Sequence, residues 1–126
     1  MKLLTKAIQE RLYQNNQRSM ENGASIEYPV VKLFDPQSAA TWYVTDGEPL
    51  ANGEYTHDLD LADDWRLFGF ATLGDPQCAE YGTTMLSTLA NHKGPMGLAI
   101  ERDTGFQPHD HPMTEIVATI KDGGHV

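Results

Sequence analysis

The sequence predicts an α+β domain, a four- to five-stranded, mostly antiparallel sheet with about three helices. Three observations predict it. The stretch Tyr28–Thr45 has the composition of a hairpin: Val30–Phe34 and Thr41–Thr45 are rich in Val, Phe, Thr, Trp and Tyr and flank a turn opened by Asp35-Pro36. Apolar residues recur at helical spacing near both ends, as Leu4, Ile8 and Leu12 and as Ile116, Val117 and Ile120. No repeat, linker or low-complexity block divides the chain, so its 126 residues form a single domain, 1–126, large enough for a core without a disulfide or structural metal.

In chain order, Thr5 caps a first helix over about Lys6–Gln17, and the polar run Asn15, Asn16, Ser19, Asn22, Gly23 marks its end. In the hairpin, Val30, Lys32 and Phe34 share one face and Val31 and Leu33 the other. Trp42 and Val44 likewise oppose Thr41, Tyr43 and Thr45. Both faces carry apolar side chains, so the hairpin is expected to be central and covered on both sides. Asp46–Tyr55 is rich in turn formers and reads as an exposed loop; Thr56–Leu61 reads as a short edge strand or a loop. Arg66–Leu73 is a strand in which Gly69 marks a bulge or close packing. After the Gly74-Asp75-Pro76 turn come a strand at Glu80–Thr84 and a short helix capped by Thr84 and running to about Asn91. Gly94–Gly97 forms a tight connection, and Leu98–Arg102 is extended. A last helix begins at Pro112 with His111 as N-cap and stops at Gly123-Gly124.

Composition narrows the class of function. Cys78 is the single cysteine, so no internal disulfide forms and a reducing, cytoplasmic setting is expected. Lys6, Glu10 and Arg11 interrupt the apolar N-terminus, so it reads as mature structure rather than a signal peptide, and no run is long enough to cross a bilayer. The net charge is −9 and is unevenly placed. Leu33–Trp65 contains no Lys or Arg but holds Asp35, Asp46, Glu48, Glu54, Asp58, Asp60, Asp63 and Asp64; the rest of the chain nearly cancels. Such a field repels nucleic acid and anionic lipid and attracts basic protein surfaces. The nine bases are scattered, so no direct nucleic-acid binding is expected, and Trp42 and Trp65 read as packing rather than stacking platforms.

Candidate chemistry is sparse. His57, Asp58, His109 and His111, with Asp60 as a substitute carboxylate, could supply metal ligands, although His109-Asp110-His111 lies between Pro108 and Pro112 in a loop. The acids at 58, 60, 63 and 64 do not make an EF-hand, because Ala62, Asp63 and Gly69 occupy positions that need a ligand, a glycine and a glutamate. Cys78 with His92 matches no nucleophile signature and reads as a small buried or half-buried residue. Glu101-Arg102-Asp103 reads as surface ion pairing. Gly94-x-x-Gly97 lacks the Lys and Ser/Thr of a phosphate loop.

The blocks M-K-L-L-T-K at 1–6, V-V-K-L-F-D-P at 30–36, T-W-Y-V-T at 41–45 and G-P-M-G-L-A-I-E-R-D at 94–103, followed by Phe106 and Pro108, resemble the domain-of-unknown-function 2958 family in order and spacing. The resemblance supplies no activity, cofactor or catalytic set. It implies a context of plasmids and integrative elements, often beside anti-restriction genes. The acidic 46–64 segment and the H-D-H-P tail depart from the family pattern.

The expectation is therefore a non-enzymatic, cofactor-free interaction protein of a mobile element. It would dock Asp46, Glu48, Glu54, Asp58, Asp60, Asp63 and Asp64 on a basic surface of a host nucleic-acid-handling complex, as an anti-restriction or anti-CRISPR inhibitor. The alternatives are a metal-binding module or metal-dependent enzyme using His57, His109 and His111, and an accessory plasmid protein that binds an element-encoded partner.

Overall fold

The structure, a computed structural model, describes residues 2–23 and 25–126. The elements run α1 (Lys6–Asn22), β1 (Val31–Phe34), β2 (Thr41–Ala51), β3 (Glu54–Tyr55), β4 (Asp64–Thr72), β5 (Glu80–Met85), α2 (Leu86–Asn91), β6 (Glu101–Arg102) and α3 (Met113–Lys121). The fold is α+β. Its strands are ordered β5-β4-β2-β1-β6, with β3 paired to β2, and the pairings are antiparallel.

The hairpin forms in the expected register, Val31 opposite Val44 and Phe34 opposite Thr41. Its two faces serve different cores, as the alternation requires. Val31, Leu33 and Val44 join Leu12, Trp65 and Leu67 in one cluster, while Tyr43 and Phe70 pack with Met113, Ile116 and Ile120 of α3 in the other. Trp65 is buried and Trp42 half-buried. Lys32 lies on the α3 side, where its ammonium donates to the Val126 carbonyl at 2.7 Å and sits 3.4 Å from Asp103. Arg102 donates to the carbonyls of Lys2 and Leu3, so Arg102 and Asp103 brace the fold through different partners rather than pairing with each other.

Several boundaries differ from the sequence reading. Thr5 does cap α1, accepting the Ile8 N–H at 3.2 Å, but the helix continues past Gln17 to Asn22 and ends at Gly23 in the left-handed region (φ 63°). Asn15 and Asn16 are buried against the sheet instead of ending the helix, so packing overrides their weak helical preference. Asp46–Tyr55 is not an exposed loop: β2 runs through it to Ala51, and Asn52-Gly53, both at positive φ (52° and 81°), turns the chain into β3. That is the conformation of a two-residue type I′ hairpin turn. Thr56–Leu61 forms no strand; Leu59–Leu61 is one 3₁₀ turn capped by Asp58. Thr84 belongs to β5, and Met85 is the N-cap of α2. Pro112, not His111, is the N-cap of α3, and His111 Nδ1 lies 3.2 Å from Glu115 instead.

The extension of β2 passes through a β-bulge. Val44 pairs with Gly69 and Asp46 with Phe68, which leaves Thr45 as the extra residue. The Thr45 carbonyl accepts the Asn15 side-chain amide at 3.0 Å, and its hydroxyl donates to Asp46 at 2.7 Å. Asp46 is 7% exposed. Burial pushes its carboxyl above the ordinary carboxylate range, and hydrogen bonds from Thr45 and Asn16 pull it only part of the way back. Gly69 completes the bulge: a Cβ there would lie 2.1 Å from the Tyr43 carbonyl oxygen.

Two outcomes are expected from this geometry. Gly69→Ala should cost about 3 kcal/mol or more, because the obstruction is backbone and cannot swing aside; a urea melt matching wild type would contradict the close approach. Asp46→Asn should stabilise the protein at neutral pH. A carboxyl with a raised folded-state pKa opposes folding when ionised, and that opposition vanishes as pH falls through the raised value. The stability difference from wild type should therefore shrink on acidification. A difference independent of pH, measured by denaturant titration across the acidic range, would show that Asp46 carries no such cost.

Candidate functional site

Helix α1 buries a central face, Leu12 with Asn15 and Asn16, and leaves two flanks. One flank carries Lys6, Tyr13 and Gln17, which lie on one side at spacings of seven and four residues. After the Asn52-Gly53 turn, residues 54–61 run back along this flank and, with Ala62 and Asp63, make up a strap, residues 54–63. The Gln17 side-chain amide donates to the Tyr55 hydroxyl, Tyr13 and His57 share a hydrogen bond of 2.7 Å, and Lys6 meets Asp60 at 2.9 Å. The rings interlock edge to face, with Tyr55 and His57 centroids 4.9 Å apart and Tyr13 and His57 6.3 Å apart. Burial, followed by the neighbouring Tyr13 hydroxyl, pushes the Tyr55 phenol up to about 12.

The outer side of the strap combines acids with apolar groups. Leu61 is 64% exposed and Tyr55 37%. Glu54, Asp58, Asp60 and Asp63 are exposed along the same segment. Two of them also set the local backbone: Asp58 accepts the Asp60 N–H and Asp63 the Asn52 N–H, each at 3.0 Å. The Lys6–Asp60 pair is fully at the surface, with side chains 68% and 78% exposed, and such a pair contributes little to stability.

The other three acids of the expected face do not join it freely. Asp46 is buried at the bulge. Glu48 is held by Arg66 at 2.7 Å. Asp64 accepts the Ser87 N–H at 2.9 Å, the Ser87 hydroxyl at 2.7 Å and the Trp65 N–H at 2.8 Å. Burial pushes its carboxyl up, but these hydrogen bonds outweigh it and leave Asp64 below the ordinary carboxylate range. Asp64 therefore ties α2 to β4. The acidic surface contracts from seven carboxylates to four, and gains an apolar centre at Leu61 and Tyr55 that composition did not point to.

The histidines do not converge. His57 is engaged by Tyr13 in the strap, His109 packs edge-on to Tyr28 with centroids 5.4 Å apart, and His111 faces Glu115. Among the described residues no three His, Cys, Asp or Glu side chains are grouped to hold a metal ion, so His57, Asp58, His109 and His111 do not form the alternative site. Cys78 is exposed, not buried or half-buried, because the Pro76–Cys78 3₁₀ turn projects it outward. Its thiol lies 3.5 Å from Asp75, whose hydrogen bond and negative charge push the thiol pKa up, away from a reactive thiolate. His92 pairs with Asp35 at 3.2 Å. Asp35 is further held by the Gln37 N–H at 2.9 Å, and that bond leads the contacts that lower its pKa.

Among the described residues no helix is long and apolar enough to cross a membrane. Searches of curated proteins and of solved structures give no match. The model of the family described as protein of unknown function (DUF2958) matches residues 3–126. That match spans essentially the whole chain, strap and α1 included, and the protein belongs to the DUF2958 family.

Proposed function

We propose that the protein is a non-enzymatic interaction module whose strap, residues 54–63, docks on a basic nucleic-acid-binding surface of a host complex and blocks it. The observation that carries this reading is the placement of an exposed leucine, Leu61, among the carboxylates of Asp58, Asp60 and Asp63 on a segment braced along a helix. Carboxylates steer the approach and occupy Lys and Arg side chains that otherwise hold phosphates. An apolar anchor provides the desolvated contact that charge alone does not, since affinity concentrates in a few well-packed groups. Bracing by Tyr13 and Gln17 lowers the entropy lost when the segment is fixed by a partner. The setting on plasmids and integrative elements that the family resemblance implies gives this blocking its concrete form, inhibition of restriction or CRISPR defence in the cytoplasm. An element-encoded partner in place of a host complex would use the same surface.

The test begins with affinity capture from the native host and reconstitution with the recovered protein. Glu54→Gln with Asp58→Asn, Asp60→Asn and Asp63→Asn should weaken binding at least tenfold and flatten its salt dependence. Leu61→Ala should weaken it with the salt dependence intact. The melting temperature should hardly change in either variant, because these side chains are exposed and the Asn residues keep the capping oxygens. The captured partner should bind DNA or RNA in competition with this chain. A partner that binds the charge-neutralised variant as tightly as wild type would remove the strap from the mechanism, and one indifferent to nucleic acid would remove the blocking role.

A further inference from the structure

The flank of α1 away from the strap carries Arg11 and Arg18, seven residues apart on one side, with the buried Asn15 at its inner edge. It faces the extended segment 25–30 and Pro108-His109 across a cleft of about 400 Å³. That volume lies in the range of small-molecule sites, roughly 300–1,000 Å³. In a chain of net charge −9, basic groups have many possible partners. Lys6, Lys32 and Arg66 take carboxylates. Arg102 and Lys121 donate to backbone carbonyls. Among the described residues Arg11 and Arg18 do neither, and both line the cleft.

We propose that this cleft binds a nucleoside di- or triphosphate, a role separate from that of the strap. Seven residues of helix separate the two arginines by about 10 Å of rise, a spacing that lets two long side chains share the successive groups of a polyphosphate. A guanidinium presents a planar fork that fits phosphate oxygens in pairs. The opposite wall supplies what inorganic polyphosphate cannot use. Ile26, Pro29 and Pro108 form an apolar surface, and the Tyr28–His109 ring pair stands at one side of it for a flat base. Glu27, on the same wall, offers acceptors to sugar hydroxyls. The net negative charge does not forbid this. At physiological salt the Debye length is about 8 Å, so the local arginines outweigh carboxylates on the far flank. A nucleic-acid duplex is too wide for the cleft and meets the whole negative field.

Isothermal titration of the full chain, in EDTA and low salt, can decide the matter. The titrants are ATP, GTP and ADP, with tripolyphosphate, adenosine and a short single-stranded oligonucleotide as comparisons. A nucleoside di- or triphosphate should bind at one site, at least tenfold tighter than tripolyphosphate or adenosine. Arg11→Gln with Arg18→Gln should weaken it at least tenfold with an unchanged melting temperature, because both side chains are exposed. The paired Arg→Lys variant should retain part of the affinity. Absence of heat with every nucleotide at millimolar concentration would overturn the proposal, as would affinity undiminished in the Gln variant. Tripolyphosphate binding as tightly as ATP would reduce the cleft to an anion site without base recognition. An oligonucleotide preferred over every mononucleotide would reassign it to single strands.

Discussion

The structure depends on one hydrogen-bonded constraint, the amide of Asn15 closing the bulge at Thr45. Inserting a residue into β2 exposes a backbone carbonyl that has lost its ladder partner, and an unpaired buried carbonyl is costly. Asn15 supplies the missing donor from α1, so the helix is fixed to the sheet at the residue where the sheet changes register. Gly69 on β4 is the other half of the same device, since only a residue without a Cβ lets the two backbones approach there. Everything beyond the bulge inherits its direction from this point: the second half of β2, the Asn52-Gly53 turn and the strap.

The bulge also decides which parts of the fold were legible in the sequence. The hairpin was readable because β-branched and aromatic residues alternate without interruption and its turn opens with Asp-Pro. Both terminal helices carry apolar stripes of the right period. The continuation of β2 was not readable by composition, because Asp46, Gly47, Glu48 and Pro49 are all poor strand formers. They are tolerated there for tertiary reasons. Pro49, with no N–H, sits in the ladder opposite Trp65 while its carbonyl accepts the Thr56 N–H, and Glu48 is neutralised across the strand by Arg66. One local signal did point the right way. Asn52-Gly53 between Leu50-Ala51 and Glu54-Tyr55 is a strong two-residue hairpin sequence, and it outranks the surrounding turn-rich composition. The end of α1 is hidden in the sequence for a related reason, since Asn15 and Asn16, which look like a stop signal, are the residues that reach the sheet.

The candidate site follows the same division. A run of acids is visible in one dimension, but a strand alternates its side chains and a bulge disturbs that alternation. Neighbouring carboxylates at 46, 48, 63 and 64 therefore end in four different environments: a buried pocket, a cross-strand ion pair, a turn and a helix tether. Of the seven acids of the expected face, only those on the strap lie exposed at the surface without a buried or cross-strand tie, and even Asp60 there meets Lys6. Tyr13 and Gln17 on α1 and Leu61 on the strap carry no chemistry that marks them individually. The spacing of Tyr13 and Gln17, four apart and off the Leu4-Ile8-Leu12 stripe, is the feature that places them on a shared flank.

Helix α1 is thus a divider as well as a support. Its buried face fixes the sheet, one flank carries an acidic strap, and the other presents two arginines to a cleft. Opposite charges can coexist on a helix about 10 Å across because water and salt screen them from each other, whereas groups on one flank act together. Net charge consequently describes how this molecule behaves at a distance but not what it can hold in contact. The bulge keeps the two flanks independent, since Asn15 is occupied by the Thr45 carbonyl and the helix cannot roll toward either side without leaving that carbonyl unpaired. A partner on the strap and a ligand in the cleft would each meet a backbone already set before binding, which lowers the ordering cost of either contact.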